Sequence, residues 1–206
     1  GYSMEAILAV LPKLQPPAGR MQRVIEPGTA LVVVDYSHTP DAVEKALEAL
    51  RPIATARRGK LWVIVGAGGD RDAGKRPIMA NIAERMADEV VLTSDNPRTE
   101  DPQAILNDMV AGVTRPVKVV IDRREAIQYV VNTAAENDVV LIAGKGHEDY
   151  QEIQGVKHPF SDVVETRNAA RMKNQPADAL MTVGLLAKLL PGSVFLGSNV
   201  PFTNVT

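Results

Sequence analysis

Glu89-Val90-Val91-Leu92-Thr93-Ser94-Asp95-Asn96-Pro97-Arg98-Thr99-Glu100-Asp101-Pro102 carries the transition that decides the fold. Its first five residues form an apolar run that reads as a short buried strand. Asn96-Pro97 then turns the chain, because a residue before proline is pushed out of helical geometry. Asp101-Pro102 restarts a helix, with an acidic cap and a proline where no amide donor is needed. A guanidinium, a carboxamide and carboxylates therefore gather after the carboxyl end of a strand, the edge at which open α/β sheets bind ligands. Taken alone, these residues fit an ordinary strand-to-helix loop equally well.

The same pattern recurs on both sides of this stretch. Ala30 to Asp35, Leu61 to Val65, Val117 to Ile121 and Val139 to Ala143 are further apolar runs, of the kind covered on both faces in a parallel sheet. Helical spacing follows through Val43, Leu47 and Leu50, over Ile78, Ile82 and Met86, from about Gln103 to Ala111, and from an Asp122 cap to about Glu136. Glu152 to Lys157 suggests a hairpin, and a helix is expected from Ser161 to about Met172. Alternation at this spacing predicts an α/β class fold: a Rossmann-like, mainly parallel sheet with helices on both faces and right-handed crossovers. The loops rich in glycine and polar residues all follow strands, so they should gather on one edge.

The ends differ in character. Met4, Ile7, Leu8, Leu11 and Leu14 fit a helix over 3–14 with Ser3 as cap, and Gln15 to Gly19 reads as a linker, so 1–19 is expected to close a preceding domain. Arg20, next after it, looks like a solvated charge. The main domain is expected over 20–172 and a linker over 173–180, with a truncated C-terminal appendage over 181–206. With no methionine at Gly1 and a strand-like segment at Thr206, the chain is expected to be a fragment of something larger.

Composition excludes several classes. The chain has 206 residues, formal net charge -2 and no cysteine. No basic footprint argues for nucleic acid, and disulfides, thiolate metal sites and cysteine nucleophiles are ruled out. No apolar run approaches the ~18 residues of a membrane span, so a soluble, cytoplasmic protein is expected.

At the loop edge, Gly66-Ala67-Gly68-Gly69 could cradle an anion, although it is neither a P-loop nor a full dinucleotide fingerprint; glycines needed for tight backbone geometry explain it as well. Arg71, Arg76 and Arg98 suit carboxylates or phosphates, unless they are spent on ion pairs with Asp70, Asp72 and Glu100. Glu148, after Gly144-Lys145-Gly146-His147, could receive an ammonium or be a paired structural glutamate. His38 and His147 have no third ligand at a metal-binding spacing, so no metal site is expected. Such an edge suits a zwitterionic amino acid beside a nucleotide.

Together these loops resemble the C-terminal domain of the Mur ligases, and among them the branch that adds meso-diaminopimelate (MurE). The family's Asp-Asn-Pro-Arg stands as Asp95 to Arg98, and its Gly-Gly-Asp-Arg-Asp-x-Gly-Lys-Arg-Pro as Gly68 to Pro77. Its Asp-Tyr-Ala-His-Thr-Pro-Asp is Asp35 to Asp41, with Ser37 for alanine. Gly-Lys-Gly-His-Glu runs from Gly144 to Glu148, and the Gly-Arg-Met that closes the family's central domain is Gly19 to Met21.

The resemblance implies ATP-dependent ligation of meso-diaminopimelate to UDP-MurNAc-L-Ala-D-Glu in peptidoglycan synthesis, through an acyl phosphate attacked by the incoming amine. It assigns Arg71, Asp95, Asn96, Pro97, Arg98, Gly144 and Glu148 to diaminopimelate. Arg98 and Asn96 suit the distal carboxylate and Glu148 the distal ammonium, so lysine should be rejected. Arg20, Asp35, Tyr36 and His38 would border ATP, and Lys75 would lie near the reacting groups. The P-loop and the Mg2+ ligands belong to the family's central domain and the UDP-sugar site to its N-terminal domain, so this fragment alone should not catalyse. Met181 to Val183, Leu189 to Gly192 and Phe202 to Val205 resemble the opening of the D-Ala-D-Ala-adding ligase (MurF), which implies a fused MurE–MurF parent. The competing expectation is a non-catalytic scaffold joining two cell-wall enzymes. A Rossmann-type oxidoreductase lacks its glycine fingerprint here and ranks behind both.

Overall fold

The computed structural model describes residues 3–5, 9 and 16–175. Most of the helix expected at 3–14, the linker beyond 175 and the segment 181–206 lie outside the described residues. In chain order the elements are β1 (Gln22–Val24), β2 (Leu31–Asp35), α1 (Pro40–Ala56), β3 (Leu61–Ala67), α2 (Lys75–Met86), β4 (Glu89–Ser94) and α3 (Pro102–Val110). They continue with β5 (Lys118–Val119), α4 (Arg123–Thr133), β6 (Val139–Ala143), β7 (Tyr150–Ile153), β8 (Val156–Pro159) and α5 (Asp162–Asn174).

Six strands form one sheet in the order β1-β2-β6-β3-β4-β5. All are parallel except β1, which runs antiparallel to β2 with Gln22 opposite Val34. The fifth parallel strand in chain order, β6, inserts between β2 and β3, so the loops after β2, β6, β3 and β4 lie side by side at one edge. That edge is where the strand order reverses, the usual place for a crevice in such sheets.

Strand periodicity builds the core on both faces. Val33, Val63, Leu92 and Leu141 point to one side, where they pack with Leu47, Met79 and Leu106 of α1, α2 and α3. Val34, Ile64, Val91 and Ile142 point to the other, against Ile127 and Val130 of α4 and Ala169 of α5. Burying each such aliphatic side chain contributes roughly 1.5–3 kcal/mol against the entropy of ordering the chain. The expected α/β sheet covered by helices on both faces is thus observed.

The helix starts follow local chemistry. Thr39, Asp101 and Asp122 accept from Ala42 N, Gln103 N and Glu125 N, capping α1, α3 and α4. Other expectations need correction. Residues 22–24, for which no element is expected from the sequence, form an edge strand whose Val24 is buried; one apolar residue in three leaves no periodic signal. The run over 117–121 yields only Lys118–Val119 as strand, because it pairs on one side alone. In α2, Met79 and Ile82 face the core while Ile78 is exposed, a shift in helical phase. Helix α5 runs to Asn174, two residues into the expected linker. No described helix is long and apolar enough to cross a membrane.

Candidate functional site

The loop after β4 is held open in an unusual backbone shape. Arg98 sits at φ 53, a left-handed conformation uncommon for a side-chain-bearing residue. The hairpin β7–β8 fastens it there: Arg98 N donates to Glu152 O at 3.0 Å, and Gln154 N donates to Arg98 O at 2.6 Å. Gln151 Nε2 donates to Asp95 O at 2.7 Å, and Glu152 N to Asn96 Oδ1 at 3.0 Å. The hairpin thus acts as a clasp on the Asp95 to Arg98 loop. The Arg98 side chain lies across the neighbouring loop, with Nη1 donating to Gly69 O at 2.7 Å and Nε 3.7 Å from the Glu152 carboxylate.

The loop after β3 lies directly against it. Gly69 N donates to Asn96 O at 2.9 Å, and a Cβ on Gly69 would stand 1.9 Å from Pro97 O. Gly69 is therefore required for loop-on-loop packing, the second of the two roles open to these glycines. Arg76, one of three guanidiniums singled out for anions, is buried and committed to Glu100 at 2.8 Å and Asp108 at 2.9 Å. Its guanidinium and the Asp70 amide hold the Glu100 carboxyl below the ordinary carboxylate range. The Thr99 hydroxyl and amide do the same for Asp70, tying the two loops again. Arg71 and Lys75 remain exposed at the cleft, with only a bond from Arg71 Nη1 to Asp70 O at 3.0 Å and a 3.9 Å approach of Lys75 to Asp72.

The loop after β6 carries the charge that sequence reasoning passed over. Lys145 is completely buried, with Nζ 2.8 Å from Asn96 Oδ1, 3.2 Å from Glu148 Oε2 and 3.4 Å from Asp95 Oδ1. Asn96 Nδ2 donates to the same Glu148 oxygen at 2.9 Å. Arg123 was missed too. Its buried guanidinium donates to Ser94 O and Ala143 O, clamping the ends of β4 and β6, and pairs with Asp162. Lys145 stands within the Gly144 to Glu148 motif and Arg123 within none, and only the apolar run before Lys145 hinted at depth.

At the far side of the edge, the Asp35 carboxylate is turned toward the chain itself. It accepts from Met21 N at 2.8 Å and from the Ser37 hydroxyl, pinning the incoming linker to the end of β2. The linker passes so close to the β6 loop that a Cβ on Gly19 would lie 2.0 Å from His147 N. The rings of Tyr36 and His38 are tilted together at 4.6 Å between centroids, and the Arg20 guanidinium lies 5.9 Å over Tyr36.

These loops enclose an open cleft of about 510 Å³. Arg71, Asp95, Asn96, Arg98, Gly144 and Glu148 all line it, as do Tyr36, His38 and Lys75. Pro97, Arg20 and Asp35 do not line it, although each touches a residue or loop that does. The cleft has guanidiniums at its β3–β4 side and the Glu148 carboxylate on the β6 loop. Such a surface can hold the two charges of a zwitterion at separate points. Among the described residues, no three or more His, Asp or Glu side chains are gathered as for a metal ion.

Sequence comparison gives this geometry its relatives. The chain is 58% identical over 170 residues to a UDP-N-acetylmuramoyl-L-alanyl-D-glutamate–2,6-diaminopimelate ligase of Pseudomonas putida, covering 82% of this chain and 34% of that protein. It is 53% identical to the ligase of the same name from Neisseria meningitidis, over 79% of this chain and 33% of the relative. It therefore spans about a third of the length of the curated relatives it matches. A solved structure bearing that ligase name superposes with a TM-score of 0.73 at 46% identity, covering 85% of this chain and 36% of the other. The UDP-N-acetylmuramate–alanine ligase of Thermotoga maritima, 20% identical, shares the fold with a TM-score of 0.56 over 84% of this chain and 34% of its own. Residues 19–146 match the model of the family described as Mur ligase, glutamate ligase domain, and the chain belongs to that family.

Proposed function

We propose that this chain is the amino-acid-binding part of an ATP-dependent ligase that joins meso-diaminopimelate to UDP-MurNAc-L-Ala-D-Glu in peptidoglycan synthesis. The observation that carries this reading is the cleft itself, where Arg71 and Arg98 stand on two loops and Glu148 on a third. The names of relatives more than half identical to it over the aligned residues point the same way.

In this reading, Arg98 and Arg71 hold the distal carboxylate, and the Glu148 carboxylate receives the distal ammonium. Asn96 offers the one side-chain N–H that its bond to Glu148 leaves over. Asp95 lines the cleft beside the buried Lys145, Gly144 keeps the floor open, and Pro97 shapes the turn that carries Arg98. L-Lysine lacks the distal carboxylate and would leave both guanidiniums without their partner, which disfavours it strongly.

Tyr36 and His38 offer ring faces, and Arg20 and Lys75 cationic groups, that fit a nucleotide triphosphate at the β2 side. ATP, when bound, supplies the phosphoryl group that activates a carboxylate for amide formation. Asp35 contributes by fixing the linker next to those rings. Mg2+, the UDP-MurNAc-dipeptide, the central and N-terminal ligase domains and a fused MurF segment belong to the parent protein in this reading, which places it in the cytoplasm.

Calorimetric titration with meso-diaminopimelate, with L-lysine and an Arg98→Ala variant as controls, tests the reading. Binding of diaminopimelate alone, lost in the variant, is expected. A scaffold module would have no reason to distinguish the two amino acids, so equal binding of lysine would overturn it.

A further inference from the structure

We infer that Lys145 is the positioning residue of the amino-acid site, an assignment that rests on the reading above and goes one layer beneath it. Its side chain is fully buried and does not line the cleft. The three N–H donors of its ammonium meet three acceptors, Asn96 Oδ1, Glu148 Oε2 and Asp95 Oδ1, at 2.8, 3.2 and 3.4 Å. An ammonium so placed is saturated, so it is not itself a ligand for a substrate carboxylate.

What it does is fix two groups that do face the cleft. Asn96 Oδ1 is committed to Lys145 and to Glu152 N, so the carboxamide can present only its NH2 end, with one N–H on Glu148 and one left over. Glu148 Oε2 takes both Lys145 and Asn96, and the other oxygen, Oε1, carries neither bond. One cation set against Asp95 and Glu148 also leaves a single excess negative charge at this end of the cleft. Arg123 does not change that balance, since Asp162 matches it one to one. The result is a carboxylate oxygen oriented for a cation, beside a carboxamide locked as donor. That combination selects an ammonium.

The test uses the whole 206-residue chain, ¹⁵N-labelled, in two arms. Without ligand, the Asn96 side-chain amide (identified by its loss in Asn96→Ser) should show one proton, that bonded to Glu148, protected from exchange and shifted from its position in free asparagine. In Lys145→Met that protection and shift should be lost while the backbone signals of the sheet persist. With meso-diaminopimelate, Lys145→Met should bind roughly tenfold or more weakly. Lys145→Arg, which keeps a cation and N–H donors against the same acceptors, should regain part of the loss. A role in packing alone would make the bulkier arginine at least as harmful as methionine in so closed a site. Should Lys145→Met fail to fold, Lys145→Gln gives the same readouts.

An Asn96 amide indifferent to the substitution overturns the assignment whether or not the amino acid binds. Unchanged affinity in Lys145→Met, or Lys145→Arg as weak as Lys145→Met, overturns it as well. If the amide responds but wild-type protein binds no diaminopimelate, the proposed function fails, and Lys145 is left as a structural fastener only.

Discussion

Arg123 and Lys145 are both fully buried cations, and both tie the end of β4 to the end of β6. They differ in what surrounds the charge. Arg123 faces Asp162, itself fully buried, at 2.7 and 2.9 Å, and spends its remaining donors on backbone carbonyls. Its burial alone would disfavour the charged form, and the Asp162 carboxylate more than reverses that. Lys145 instead faces two carboxylates and a carboxamide, Asp95, Glu148 and Asn96, all of which line the cleft. A closed one-to-one pair holds strands together. A cation outnumbered by its partners leaves a charge for something else to meet. The same physical element thus closes on itself at one site and, under the proposed function, serves recognition at the other.

The sharpest way to break this comparison is at the closed pair. Arg123→Met should destabilise the domain by about 3–5 kcal/mol, because Asp162 is left charged or protonated in an apolar setting. Arg123→Met/Asp162→Leu should be markedly less destabilised than the single variant, since it removes both charges together. Urea denaturation monitored by circular dichroism reads both. If the double variant is as unstable as the single, the backbone bonds to Ser94 and Ala143 matter more than the pair.

A smaller effect is expected at the open side. Arg98→Ala should weaken meso-diaminopimelate binding by roughly 1.5–3 kcal/mol, the range for a hydrogen bond to a charged group. Its effect on unfolding should be slight by comparison, because the loop retains the backbone bonds of Arg98 to the hairpin. Calorimetry and denaturation on the same preparation separate the two. Loss of stability matching the loss of binding would place Arg98 with Arg123, as a structural clamp.

The two cations also mark how far the sequence could be read. The strands were legible because apolar runs of five or more residues state their own burial, and the caps at Asp101 and Asp122 because their chemistry is local. The cleft was legible because Asp95 to Arg98, Gly144 to Glu148 and Tyr36 to His38 each directly follow a strand, and parallel strands bring such loops to one edge. The fastening was not. Lys145 meets Asp95 across 50 residues, and Arg123 meets Asp162 across 39, so no window of sequence contains either contact. Arg76 shows an alternative the sequence left open: it sits in the glycine-rich loop motif and is spent on Glu100, with Asp108 as a second partner. A motif tells which residues stand near a site, whereas burial and partners tell which of them face it.

Arg76 is also the intermediate case that sharpens the comparison with pH, and here the smallest effect is expected. Its side chain is buried, but that of Glu100 is 33% exposed and that of Asp108 49%, so protons reach its partners. The Arg76 guanidinium, with the Asp70 amide, holds the Glu100 carboxyl below its usual range. A carboxyl depressed in the folded state contributes stability that is present above its unfolded value of about 4.3 and is lost as pH falls through the folded one. The melting temperature should therefore drop as pH is lowered below about 4–5, and Glu100→Gln should flatten that slope while lowering the melting temperature at neutral pH. The effect is modest because solvent screens a partly exposed pair. In the Arg123→Met/Asp162→Leu background the Glu100-dependent slope should remain, because the closed pair takes no part in it. A slope that vanished with the buried pair instead would mean that acid acts through Asp162, and that burial of both partners does not shield a pair from protons.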